Sequence, residues 1–133
     1  MSALATFAWF WILLGLLSGV GMGLFFHDER WLGGYGSWER RMVRLGHISF
    51  FGTGLLCLML AVTRVVWPSA DLGIATTALI GGAVAMPTVC LLAAWRKPAR
   101  HLFFIPVLCL LAGVASTVLV GGFGAVEIAR ARP

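Results

Sequence analysis

Polar and apolar residues separate along this chain into four long apolar runs joined by short charged links. The runs cover about 7–26, 43–66, 72–95 and 102–125. Each has the roughly 20 residues that a helix rising ~1.5 Å per residue needs to cross a ~30 Å hydrocarbon core. Lipid offers backbone N–H and C=O groups no water to bond, so each run is expected to pair them internally as an α-helix. The expected fold class is an all-α integral membrane protein, a single domain of four transmembrane helices. Links this short make successive helices antiparallel neighbours, which predicts an up-down bundle.

The links carry their own signals. The first, about 28–42, holds Gly33-Gly34-Tyr35-Gly36, a turn sequence. Ser37 is the expected N-cap of the second helix, with Glu39 in its first turn. In the second link Pro68 stops the second helix, and Ser69 or Asp71 is placed to cap the third. The third link, Arg96-Lys97-Pro98-Ala99-Arg100, reads as a tight helical hairpin. Pro87 lies inside the third run and should kink it by removing one backbone donor. The tail 127–133 is expected to fray. No Lys or Arg precedes the first run, so it reads as a retained span and not a cleaved signal.

Charge sets the expected orientation. Arg30, Arg40, Arg41, Arg44, Arg96, Lys97 and Arg100 put seven basic residues on one side, against three (Arg64, Arg130 and Arg132) on the other. The positive-inside rule then places 27–42 and 96–101 in the cytoplasm and both termini outside, in a membrane of bacterial inner-membrane type. Trp9, Trp11, Trp31, Trp38, Trp67 and Trp95 lie near run ends or in links, as an aromatic belt requires.

Composition narrows the function classes. Of 133 residues 60% are hydrophobic and 11% charged, so the four spans leave no segment for a soluble catalytic domain. The net charge of +5 resides in links and helix ends, where it meets anionic lipid headgroups, not nucleic acid. No charge lies mid-span, which argues against a transport route, a proton relay or a voltage sensor. No phosphate loop, nucleophile motif or HExxH is present, so no activity as an enzyme on its own is expected. Cys57, Cys90 and Cys109 fall inside spans without CxxC spacing and read as apolar packers.

Helices in lipid associate through close contact at small residues. The expected helix-packing positions are Gly15, Gly19 and Gly23 in the first run. The third run has Gly73, Thr77, Gly81 and Ala85, and the fourth has Gly113, Thr117 and Gly121. Such stripes pack within the chain, or one of them faces another membrane subunit or a second copy.

Three histidines map to one membrane face. His27 closes the first helix, His47 lies about one turn inside the second, and His101 opens the fourth. If helices two and four lie diagonally across a closed bundle, His47 and His101 face each other as a pair of axial ligands for haem b. A softer set at similar depth, Met22, His47 and Cys90, suits copper(I). Plain interfacial side chains account for His27 and His101. His47 is harder to dismiss, because a polar group inside an apolar run needs a partner, and Ser49 is a local candidate. Asp28, Glu29 and Glu39 are expected to pair with the neighbouring arginines. The leading functional expectation is an accessory or anchor subunit of a larger membrane electron-transfer complex. The alternatives are a haem-binding electron carrier and a copper-binding membrane protein.

Overall fold

The structure, a computed structural model, describes the backbone of residues 1–130 and the side chains of residues 1–121. Arg132 and the side chain of Arg130, both used in the charge count, lie outside the described residues, as do the last three residues of the tail; its residues 127–130 continue the last helix.

Four helices are long and apolar enough to cross a membrane. Helix α1 spans Ala3–Leu24 and starts earlier than its apolar run, because Ser2 Oγ accepts the Ala5 N–H at 3.2 Å and caps it. Helix α2, Trp38–Val66, is capped by Ser37, whose Oγ accepts the Arg40 N–H at 3.1 Å. It ends just before Trp67 and Pro68. Its 29 residues make it about 43 Å long, well over the ~30 Å of a bilayer core.

Helix α3, Gly73–Trp95, runs unbroken through Pro87. Asp71 does not cap it in the usual way. Its Oδ1 accepts the Gly73 N–H at 3.1 Å, and Leu72 is the cap residue. The third link is longer than a tight hairpin. Pro98 stands in the first turn of a 3-10 segment, Lys97–Phe103, so α4, Phe104–Arg130, starts only after it.

The helices pack in chain order: α1 on α2, α2 on α3, and α3 on α4. At each interface residue numbers fall on one helix as they rise on the next. A Cβ placed on Gly15 would lie 3.1 Å from Phe50, whereas one on Gly54 would lie 2.8 Å from Ile12. Trp11 Nε1 donates to Thr53 Oγ1 at 3.1 Å, so this tryptophan joins two helices. Between α2 and α3, Gly46 receives Cys90, and Trp38 Nε1 donates to Ala93 O at 2.7 Å. That carbonyl is one of the last four of α3, which have no acceptor role inside the helix.

The α3–α4 contact is reciprocal. Leu110 fills the notch left by Gly82, and Leu79 fills the notch left by Gly113. In both, an added Cβ would meet the leucine side chain at 2.7 Å and its backbone nitrogen at 3.2 Å. The buried core joins Leu4 and Ala8 of α1 to Cys57, Leu60 and Ala61 of α2 and to Leu72, Ala75, Leu79 and Ala83 in or beside α3. Outward faces carry large apolar residues such as Leu17, Val20, Met59, Val62, Val118 and Leu119.

The first link turns through three successive left-handed residues, Leu32, Gly33 and Gly34, with φ of 53, 80 and 94°. Gly34 pairs its φ with a ψ of 175°, a region essentially closed to side chains. Gly34→Ala is therefore expected to destabilise the fold by about 1–3 kcal/mol. Gly36, which has open space and no such φ, should accept alanine without effect. Thermal unfolding of the two variants in one detergent checks this, and equal midpoints would remove the conformational argument.

Candidate functional site

His47 sits on α2 facing α1. Its Nδ1 lies 2.8 Å from Ser18 Oγ, and Ser18 Oγ lies 2.8 Å from Gly15 O. The imidazole packs into the gap at Gly19, where a Cβ would come within 2.7 Å of Cε1, and Phe51 meets it edge-on at 5.4 Å. The interhelical partner is thus Ser18, not Ser49. Ser49 Oγ instead donates to Gly46 O at 2.6 Å within its own helix. Ser49 and His47 are two residues apart, a spacing that turns side chains to opposite faces.

Ser18 has one hydroxyl proton and two neighbours. Gly15 O can only accept, so the hydroxyl donates there. Both contacts are satisfied together when His47 Nδ1 carries its proton and donates to Ser18 Oγ. That tautomer leaves the lone pair on Nε2. Nε2 makes no hydrogen bond, and among the described residues the one enclosed side-chain polar atom without a partner is Arg40 Nη2. Nε2 is thus not fully enclosed, and it lies 3.4 Å from where a Cβ on Gly19 would stand.

Arg40 forms the second unusual arrangement, in the first turn of α2 and two turns from His47. It is 1% exposed. Where the sequence suggested a carboxylate partner, Arg40 takes carbonyl oxygens and ring faces. Nη1 donates to Glu29 O at 3.4 Å and to Asp28 O at 3.5 Å. The guanidinium lies over Tyr35 at 3.9 Å, with Trp31 at 5.4 Å and Phe26 at 5.7 Å. Cation–π attraction offsets part of the desolvation of the charge. Ser37 holds the same link down, donating to Leu32 O at 2.5 Å while it caps α2.

The other candidate residues sit on different elements. His101 is exposed in the 3-10 segment, which packs on α3 and α4, while His47 faces α1. His27 is exposed beyond the end of α1. Cys90 is buried against Gly46, on the α3 side of α2, and Met22 is partly exposed on α1. No group of three or more His, Cys, Asp or Glu able to hold a metal ion exists among the described residues.

The glycines divide by face. Gly15, Gly19 and Gly113 abut a neighbouring helix, and Gly121 approaches Trp67 at 3.5 Å. Gly23 and Gly81 have nothing within 4 Å, and Gly73 meets only Asp71. On α3 the residues Gly73, Thr77 and Gly81 are exposed, while Ala75, Leu79, Gly82 and Ala83 are buried. Sequence reasoning missed Gly82 and its partner Leu110. The signal was there as Leu79-Ile80-Gly81-Gly82 and Leu110-Leu111-Ala112-Gly113, a leucine three residues before a glycine on each helix. No protein-family model, curated protein or solved structure matches this chain.

Proposed function

We propose that the chain is an integral membrane protein, an up-down array of four spans that serves as an accessory or anchor subunit of a larger electron-transfer complex. The observation that carries this reading is the outward stripe on α3. Gly73, Thr77 and Gly81 form a flat, small-residue strip, and Gly81 has open space in front of it. Van der Waals contact between backbones at such strips drives helix association in lipid. The chain packs its helices in sequence order, with α1 and α4 each set against one principal neighbour, which among the described residues leaves apolar faces of both for lateral contact. The first and third links, which with Arg44 just beyond the first hold seven of its basic residues, then face the cytoplasm.

The adjacent glycines Gly81 and Gly82 provide the test. Gly81→Leu is expected to leave thermal unfolding of the purified chain within about 0.5 kcal/mol of wild type, as surface changes do. The same variant should lose photo-crosslinks, formed in native membranes from a probe at Thr77, to larger membrane subunits. Crosslinks that persist at wild-type yield in Gly81→Leu, or a wild-type chain that forms none, would discard the reading.

A further inference from the structure

We propose that Arg41 and Arg44 hold the phosphate of one anionic phospholipid, whose acyl chain lies along the outward face of α2. The site rests on the membrane-spanning placement of α2 and involves no partner subunit, so its failure would leave the Thr77 crosslinks untouched. Arg41, Arg44, Ile48, Gly52, Leu55 and Met59 are all exposed, at steps of three or four residues. That spacing puts them on one face of the helix. Contacts with α1 and α3 use other faces, since Gly54 meets Ile12 of α1 and Gly46 meets Cys90 of α3. The strip is therefore continuous, basic at its N-terminal end and apolar beyond.

Two arginines at this place are electrostatically misplaced in the chain taken alone. Arg41 closes the first turn of α2, where the helix dipole disfavours cations. Arg44 stands one turn on, beside it and of like charge, which is also unfavourable. Glu39 is the acid of that turn, but it lies two residues from Arg41, a spacing that turns the side chains apart. An anion set between the two guanidinium groups removes both penalties. Phosphate suits them, because each guanidinium presents a planar fork of donors to its oxygens.

Depth and shape select a lipid over a free phosphate. The 29 residues of α2 reach about 13 Å beyond what a ~30 Å hydrocarbon core needs. Its apolar run begins at Val43, so the surplus puts Arg41 and Arg44 at headgroup level, where clustered basic residues recognise anionic lipid. Farther along the strip Ile48 is 60% and Leu55 51% exposed, and between them Gly52 has nothing within 4 Å of an added Cβ. The strip thus carries a notch beneath the arginines, in line for an acyl chain. The start of α2 is also fixed before any lipid arrives. Ser37 caps it, and Trp38 Nε1 ties it to Ala93 O at 2.7 Å.

The experiment is native mass spectrometry of the purified full chain in mild detergent, titrated with phosphatidylglycerol and with phosphatidylcholine of the same acyl chains. Wild type is expected to bind one phosphatidylglycerol in preference to phosphatidylcholine. Arg41→Gln and Arg44→Gln should each lower phosphatidylglycerol affinity about 5-fold, the share of one basic residue at a lipid surface. Phosphatidylcholine binding should stay unchanged in both, which separates a lost phosphate contact from misfolding. Arg96→Gln combined with Arg100→Gln removes as much charge from the same end of the chain and should leave the preference as it is. Glycerol 3-phosphate, a headgroup without chains, should not displace the lipid at equal concentration. No preference in wild type, a preference kept when Arg41→Gln and Arg44→Gln are combined, an equal loss in the Arg96 and Arg100 pair, or displacement by glycerol 3-phosphate would each overturn the site.

Discussion

Gly82→Leu is expected to separate α3 from α4. The new side chain would occupy the space that Leu110 already fills, starting from a Cβ 2.7 Å from the Leu110 Cγ and 3.2 Å from its backbone nitrogen. A flexible side chain can rotate away, but a backbone nitrogen moves only with its helix. Overpacking of this kind costs about 1–3 kcal/mol, and backbone involvement puts this site at the upper end. The reciprocal notch at Gly113 predicts the same loss for Gly113→Leu. Exchanging knob and hole gives a sharper check. Gly82→Leu combined with Leu110→Gly should recover part of the stability, because the total volume is kept, although glycine costs about 1 kcal/mol of helix propensity. A double-mutant cycle on thermal unfolding in detergent measures this. Additive losses in the double variant would show that the two residues do not share one notch.

Arg40→Ala should be the most damaging change outside the spans' contact faces. It removes the group that holds the link 27–37 against α2 and leaves three aromatic rings without their filling. Cation–π contacts contribute about 0.5–2 kcal/mol and hydrogen bonds to a charged group about 1.5–3 kcal/mol, so a loss of roughly 3 kcal/mol is expected. Arg40→Met should be milder than alanine. It keeps most of the packing volume and removes the charge whose Nη2 is buried without a partner. Arg40→Lys keeps the charge but lacks the planar fork that stacks on Tyr35, and it should fall near alanine. Limited trypsin digestion reads the outcome directly, since cleavage after Arg30 in the same link should accelerate in the order wild type, methionine, alanine. Equal protection of Arg30 in wild type and Arg40→Ala would show that the link is held by something else.

The helices were legible because an apolar run of about 20 residues has few other uses. The cap at Ser37 was legible too, since Ser37 and Glu39 stand where a helix start needs them. What failed to show was anything that depends on which faces meet. Counting every fourth residue on α3 selects Gly73, Thr77 and Gly81, which lie outward, and passes over Gly82, which carries the contact with α4. Two consecutive glycines give the count no means of choosing between faces 100° apart. The partner of His47 was hidden for a related reason. Ser18 is 29 residues away on another helix, and no local spacing points to it. The pairing of His47 with His101 assumed a closed bundle with α4 opposite α2. Packing in chain order turns His47 toward α1 instead. Arg40 was read as one of several arginines with nearby acids, because sequence cannot show that Phe26, Trp31 and Tyr35 converge on it.

Packing in chain order has a consequence for how the protein is made. Each helix finds its principal neighbour in the element synthesised just before it, so no interface waits for a distant segment. Chains with mostly local contacts fold fast, since little loop-closure entropy stands in the way. The four helices can therefore settle on one another in the order of their synthesis. Trp38 is the exception that sets the tempo. Its indole must wait for Ala93 O, 55 residues later, before the start of α2 is locked to the end of α3.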